Sequence, residues 1–277
     1  MIKTNSELPL CMLHQNIDLN SYDFVLFHLY KENEQYRNYY KSLRKTFTER
    51  LMIFDNSAYE FFVKGETLDL TEYYNAIIDL KPDYYILPDV LMDYSKTMSG
   101  VKRFLCLCLC NTNEMKECGS KPLAVAQGNM EIELQSALTD YLNLGIDAVA
   151  IPFHNSFFKE MEVDDDIYWD FCEEFGGDNE DARYAMGRVQ FMRNNEDLLK
   201  RFNHVHLLGS HQPFEKKYYK QWNTMDTGYP VKCALEGVEL GKDFEKPNII
   251  IDDFLDKDLD DRTRLLIGSN VLTFKNM

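Results

Sequence analysis

The sequence predicts the α/β class, as a (β/α)8 TIM-like barrel in a single domain over residues 1–277, with a long insertion between strands five and six. Two observations lead there. Short apolar runs alternate with stretches of helical spacing, the pattern of parallel strands joined by crossover helices. Several runs end in an acid, an amide or a Gly or Pro turn, and the C-terminal ends of parallel strands are where such folds do chemistry. The size agrees: 277 residues, 45% of them hydrophobic, match a fold that takes about 250 residues.

Strand one is expected at Asp23 to His28, followed by a charged, Tyr-rich helix from Glu32 to Glu49. Strand two is Leu51 to Phe54, which runs into Asp55-Asn56-Ser57-Ala58-Tyr59-Glu60. Helical spacing over Leu70 to Leu80 leads to strand three, Tyr84 to Leu87, ending in Pro88-Asp89. A mostly helical stretch, Leu91 to Cys110, precedes strand four at Leu123 to Ala126, which ends in Gln127-Gly128. A helix over Glu131 to Leu144 stops at Gly145, a residue suited to the left-handed turn past a helix end. Strand five is Ala148 to Ile151.

The insertion runs from His154 to Asn203. It holds an acidic loop, Glu160 to Asp166, then Gly176-Gly177, and ends in a helix, Asn195 to Phe202. Long insertions at the catalytic face of a barrel are often functional. Strand six is Val205 to Leu208 before Gly209, and a short helix covers Phe214 to Trp222. Strand seven is Thr224 to Asp226, strand eight is placed at Val231 to Leu235, and a terminal helix includes Arg262 to Ile267. No GxGxxG or GxxxxGKS/T fingerprint occurs, so dinucleotide and P-loop chemistry have no support.

The formal net charge of −16 argues against a broad nucleic-acid surface, because such surfaces are basic. A local strip remains available at Lys216, Lys217 and Lys220, interleaved with Tyr218 and Tyr219, or across Arg37 to Arg50. No run approaches the roughly 20 apolar residues that span a bilayer. The polar N-terminal residues do not read as a secretory signal. A soluble cytoplasmic protein, in the host cytoplasm if viral, is the expectation. Seven cysteines in such a chain do not suggest disulfides. Cys106, Cys108 and Cys110 lack the partners of a tetrahedral zinc site, and are expected to be buried as small apolar side chains. His154, His204, His206 and His211 are scattered. His204 and His206 share a strand face, and buried or rim histidines are a better reading than a metal pair.

Two strand-end carboxylates, Asp55 and Asp226, permit two roles, one as nucleophile and one as proton shuttle. That pairing suits cleavage at an anomeric carbon, where positive charge develops. A lone strand-end Asp more often caps a helix. Asp89 and Gln127 offer an acceptor and a mixed donor–acceptor able to read the edge of a purine-like base. Tyr59 could stack on its face with Leu208 beneath. Gly128 and Gly209 would allow close backbone approach.

In this order the motifs resemble the tRNA-guanine transglycosylase superfamily, and more narrowly its shorter viral and bacterial members that act on DNA. Asp55-Asn56-Ser57-Ala58-Tyr59-Glu60 matches the family motif after strand two. Asp89 matches the acid after strand three, Gln127-Gly128 the pair after strand four, and Leu207-Leu208-Gly209 the turn after strand six. Asp226, in Met225-Asp226-Thr227-Gly228-Tyr229-Pro230, matches the nucleophile after strand seven. The resemblance covers roughly residues 23 to 240. It implies exchange of guanine in DNA for a free 7-deazaguanine base. Asp226 would attack C1′ and Asp55 would manage protons. Asp89, Gln127 and Gly128 would hold the base edge, and Tyr59, Leu208 and Gly209 its faces. The target nucleotide would be flipped or single-stranded.

Two departures bear on the substrate. The tRNA enzymes carry a CxCxxC…His zinc site near the C-terminus, and nothing after Cys233 supplies one. This disfavours tRNA, and no metal or cofactor is expected. Asn56 stands where Ser is usual. Two alternatives stay open: hydrolysis of a small deazaguanine nucleoside, and a catalytically silent barrel that binds a partner through the acidic loop.

Overall fold

The computed structural model describes residues 2–153, 156–175, 180–210, 213–240 and 258–277. His154, His211 and the Gly176-Gly177 pair lie outside the described residues. The fold is the α/β class of (β/α)8 TIM-like barrels. Its eight strands are β1 (Lys3–Ser6), β2 (Asp23–Leu26), β3 (Met52–Asp55), β4 (Tyr84–Ile86), β5 (Lys121–Val125), β6 (Ala148–Pro152), β7 (His204–Leu208) and β8 (Thr224–Thr227). They form one sheet in the order β1-β8-β7-β6-β5-β4-β3-β2, and the described pairings are parallel. Among the described residues no helix is long and apolar enough to cross a membrane. The chain divides into two compact units, residues 23–152 with 196–205, and residues 1–22 with 153–195 and 206–277.

The unit of residues 23–152 and 196–205 holds β2 to β6. Register follows the apolar runs, with Leu26 opposite Asp55, Phe54 opposite Tyr85, and Ile86 opposite Leu123. Helix Leu70–Leu80 matches its expected bounds. Asp69 starts it by accepting from the backbone N–H groups of Thr71 and Glu72, at 2.8 and 3.0 Å, which satisfies two of the unpaired donors at a helix start. Tyr73 on this helix is fully buried against Phe27 and Phe54. Its hydroxyl lies 3.1 and 2.8 Å from the carbonyl oxygens of Phe54 and Ile86 and shares its one hydrogen between them. That side chain therefore joins the ends of β3 and β4 while its ring fills the core.

Helix Tyr94–Cys110 buries Thr97, Met98, Val101 and Phe104, the one-face spacing of an amphipathic helix. The cysteines depart from expectation. Cys106 and Cys110 are exposed and Cys108 is half-buried, beside the Tyr85 hydroxyl. On a helix, positions four apart share a face and the position between them does not. The Cys-Leu alternation, which suggests a two-residue period, thus ends up half-buried or exposed along the last turns of the helix.

The other unit corrects the eighth strand. Val231 to Leu235 lies in helix Tyr229–Leu235, with Pro230 in its first turn and Val231, Cys233 and Ala234 buried. Proline favours a helix start, a signal that outranks the β-branched residue beside it. The eighth strand is instead β1, Lys-Thr-Asn-Ser, paired with β8 so that Asn5 faces Asp226. Three of its four residues are buried although none is apolar. Their polar groups are paired within the unit: Asn5 Nδ2 donates to the Tyr22 carbonyl at 2.8 Å, and Asn20 bonds both the N–H and the C=O of Ser6. Burial of polar residues is tolerated where every group finds a partner.

Most of the insertion is helical. Helices Ser156–Lys159, Asp165–Phe175 and Glu180–Asn194 belong to this unit. A Cβ on Gly187 would fall 1.9 Å from the carbonyl oxygen of Phe158, so only glycine permits that helix crossing. The acidic loop is partly neutralised, because Arg193 bonds Asp164 at 3.0 Å and Asp166 at 2.9 Å.

Candidate functional site

Both units carry an acid at the C-terminal end of a strand. In the unit of β2 to β6, Asp55 closes β3 and is buried. Its Oδ2 accepts from the N–H of Ser57 at 2.7 Å. This tight turn leaves Ser57 at φ 58°, a left-handed conformation that costs a non-glycine residue about 1 kcal/mol or more. The fully buried Ser57 is held there by His28. Its hydroxyl accepts from the His28 backbone N–H at 3.1 Å and lies 2.9 Å from His28 Nδ1. Burial drives the His28 pKa down to about 4, with Lys64 adding to the effect and Glu32 opposing it. The ring is therefore neutral at physiological pH.

Asn56 and Gln127 converge on Asp89. Asn56 Nδ2 donates to Asp89 Oδ1 at 2.8 Å and to the Leu87 carbonyl at 2.7 Å, while its Oδ1 accepts from Ala58 N–H at 2.8 Å. Gln127 Nε2 donates to Asp89 Oδ2 at 2.6 Å, and Gln127 Oε1 accepts from Met92 N–H at 2.9 Å. Each Asp89 oxygen thus carries one amide donor and keeps lone-pair capacity for another. Desolvation raises the Asp89 pKa above the ordinary value, against the lowering pull of the two amides. Gln127 is buried and committed to Asp89 and Met92, so its amide orients the acid in this structure. Tyr59 lies on helix Ala58–Lys64 with half its surface exposed. Gly128 is required by packing, since a Cβ there would sit 2.7 Å from Glu133 Cβ.

In the other unit, Asp226 on β8 is buried. Its Oδ1 accepts from the N–H of Gly209 at 2.9 Å and lies 3.0 Å from His206 Nε2. Gly209 adopts φ +66°, a left-handed turn after the half-buried Leu208 that glycine makes without strain. His206 is fully buried, with Nδ1 2.9 Å from the Thr224 hydroxyl. The turn is braced by Arg188, whose guanidinium is completely buried. It donates to the Gly209 carbonyl at 2.7 Å, pairs with Glu215 at 2.8 Å, and lies over the ring of Phe153. Glu215 also accepts from the hydroxyls of Ser210 and Tyr219.

The three lysines do not form one surface strip. Lys216 is buried, and its Nζ donates to the carbonyls of Phe274 and Lys275, at 2.8 and 2.7 Å, at the end of helix Asp261–Asn276. Burial lowers its pKa to about 8. Lys217 pairs with Asp170 and lies 3.7 Å over the Phe214 ring, and Lys220 is exposed. The segment is a 3-10 helix, Pro213–Tyr219. Three residues per turn place Lys216 and Tyr219 on one inward face, so Lys216 is corrected from a phosphate contact to a helix-end cap. Among the described residues no group of three His, Cys, Asp or Glu side chains is placed to hold a metal.

Sequence reasoning named Asp55, Asp89, Gln127 and Asp226 but missed their supports. Asn56, read only as a departure, is the second amide on Asp89. His206, read as an ordinary buried histidine, faces Asp226. Arg188 and Glu215 carried no local signal, because each is explained only by the other. No model of a known protein family matches the chain, and no curated protein matches it.

Proposed function

We infer that this chain transfers a glycosyl group through Asp226, exchanging guanine in DNA for a free 7-deazaguanine base. One observation carries the reading. Asp226 Oδ1 is occupied by Gly209 and His206, whereas Oδ2 makes no hydrogen bond among the described residues. A buried carboxylate fixed by one oxygen leaves the other as a directed nucleophile.

In this reading Oδ2 bonds to C1′ as the C1′–N9 bond breaks, and the electron pair leaves with the base. Asp55 supplies the proton that the departing base takes up and removes one from the incoming base. Asp89, held by Asn56 and Gln127, accepts from base N–H groups, and Tyr59 offers an exposed ring for stacking. The return step breaks the Oδ2–C1′ bond as the new base attacks C1′. The nucleotide must be unstacked to be reached.

The test is incubation of the protein with DNA and isotopically labelled guanine or 7-deazaguanine bases. Label in the DNA, lost in Asp226→Asn, supports the reading. A wild-type protein that binds neither base nor DNA and transfers no label would refute it. A second reading is favoured by the net charge of −16 and the burial of Lys216: hydrolysis of a small deazaguanine nucleoside. In that case a nucleoside substrate releases free base, and no label enters DNA.

A further inference from the structure

His206 is fully buried, and no step of the chemistry above uses it. It lies between two fixed groups of β8. Thr224 Oγ1 is 2.9 Å from Nδ1 and Asp226 Oδ1 is 3.0 Å from Nε2. The Tyr22 ring meets it edge-on at 6.4 Å between centroids. A carboxylate oxygen only accepts, so the nitrogen facing it carries the proton. In a neutral ring the other nitrogen then accepts, here from the threonine hydroxyl. Thr224 therefore selects the tautomer that presents Nε2–H to Asp226. The Nε2 contact is at hydrogen-bond distance but off the ideal line, a looseness that sites show before substrate binds.

We propose that His206 is a positioning residue that works chiefly in the second half of the exchange, by holding the carboxylate charge on Asp226 as the glycosyl bond to it breaks. This rests on the reading of Asp226 as nucleophile. When Oδ2 bonds to C1′, Oδ1 becomes the carbonyl oxygen of an ester and loses most of its negative charge. When the incoming base attacks C1′, the Oδ2–C1′ electron pair returns to the carboxylate and charge reappears on Oδ1. The N–H of Gly209, which bonds that oxygen, and the Nε2–H of His206, which lies 3.0 Å from it and can tighten onto it, stabilise the returning charge, as donors do wherever charge develops. They favour departure of Asp226 over its attack. The Gly209 donor is backbone and cannot be deleted by substitution, which leaves His206 as the variable one.

The experiment is rapid-quench measurement of the covalent protein–DNA adduct for wild type, His206→Phe, His206→Gln and Asp226→Asn. It gives separate rates for adduct formation without added base and for adduct resolution on addition of 7-deazaguanine. In His206→Phe the ratio of resolution to formation should fall about ten- to hundredfold, the scale of a hydrogen bond to a charged group, and adduct should accumulate. Glutamine can place an N–H donor near the same oxygen, so His206→Gln should recover much of the ratio. A purely structural role would slow both steps together and would not be rescued selectively. An unchanged ratio in both variants, with no adduct from Asp226→Asn, would overturn the role of His206 and leave Asp226 as nucleophile. Adduct formation by Asp226→Asn at the wild-type rate would overturn the nucleophile assignment, and the role of His206 with it.

Discussion

Asp226 and Asp89 are both carboxylates at C-terminal strand ends, one in each unit, yet their surroundings differ. Among the described residues Asp226 is held through one oxygen only, by a backbone N–H and beside a histidine. Asp89 has a side-chain amide on each oxygen. The first arrangement leaves an oxygen for bond making. The second spreads the charge over two donors and fixes the plane of the carboxyl group, which suits recognition of flat N–H edges. Their supports differ in the same sense. Asp226 rests on a turn braced by a buried ion pair, Arg188 with Glu215, whereas Asp89 rests on neutral amides.

The comparison breaks first at Asp226. Asp226→Asn keeps shape and burial but removes the nucleophile, so base exchange should fall by about three orders of magnitude or more. Thermal unfolding should stay close to wild type, because the amide can still accept from Gly209. Label incorporation and a melting curve check both halves. Near-normal exchange in this variant would assign the two carboxylates to the same class and remove the contrast.

Next in size is the brace. Arg188→Met strands the Glu215 carboxylate in a fully buried site, and loss of one partner of such a pair costs about 3–5 kcal/mol. The double variant Arg188→Met with Glu215→Leu removes both charges and should recover a large part of that stability. Activity should not recover with it, since the Gly209 carbonyl loses its donor and the turn that holds Asp226 loosens. Denaturant unfolding of the two variants, read beside exchange rates, separates stability from positioning. Full recovery of exchange in the double variant would show that the ion pair serves the fold alone.

The recognition side carries smaller effects. Asp89→Asn or Gln127→Ala should weaken base binding about ten- to hundredfold. The pH response has a defined sign. Desolvation raises the Asp89 pKa, and only the ionised form accepts at both oxygens. Affinity for base should therefore start to fall, as pH is lowered, at a higher pH than an ordinary aspartate would dictate. A raised folded-state pKa also means that ionising Asp89 opposes folding at neutral pH, whereas Asp89→Asn turns an NH2 toward one of the two amide donors, so the two effects offset and stability should change by about 1 kcal/mol or less. Titration of base affinity against pH checks the first point, and a melting curve the second. Loss of stability in parallel with affinity would make Asp89 a structural acid.

The sequence exposed the parts of this molecule in which local pattern and tertiary role coincide. Leu70–Leu80 is capped by Asp69 and buries one stripe, so its bounds were readable to the residue. Strands β2 to β7 carry apolar runs. β1 does not: Thr4, Asn5 and Ser6 are buried, with Asn5 and Ser6 satisfied by Tyr22 and Asn20, and partners 14 to 17 residues away leave no local trace. The strand-end acids were visible because they follow strand-like runs. Their supports were not, since Arg188 sits 21 residues from the Gly209 carbonyl it bonds. Lys216 shows the opposite error, a charged residue read as surface. Its long stem is buried and its ammonium group serves the carbonyls of a helix end 58 residues on, a use of lysine that composition cannot reveal.

The smallest expected effect concerns how nucleic acid would be held, and it turns on that correction. Lys216 is committed to Phe274 and Lys275, so only Lys217 and Lys220 remain near the surface, and Lys217 already pairs with Asp170. Each phosphate deprived of its lysine flattens the dependence of log affinity on log salt by about 0.7 to 0.9. Neutralising Lys217 and Lys220 together should therefore change the slope by less than the sum for two phosphates. Lys216→Met should leave the slope unchanged and lower stability instead, because it frees two helix-end carbonyls. Measured against single-stranded DNA at several salt concentrations, a steep loss of slope in Lys216→Met alone would restore that residue to the nucleic-acid surface. An unchanged slope in both variants would place phosphate binding on other residues and move weight toward the small-nucleoside reading, in which the acidic surface is no obstacle.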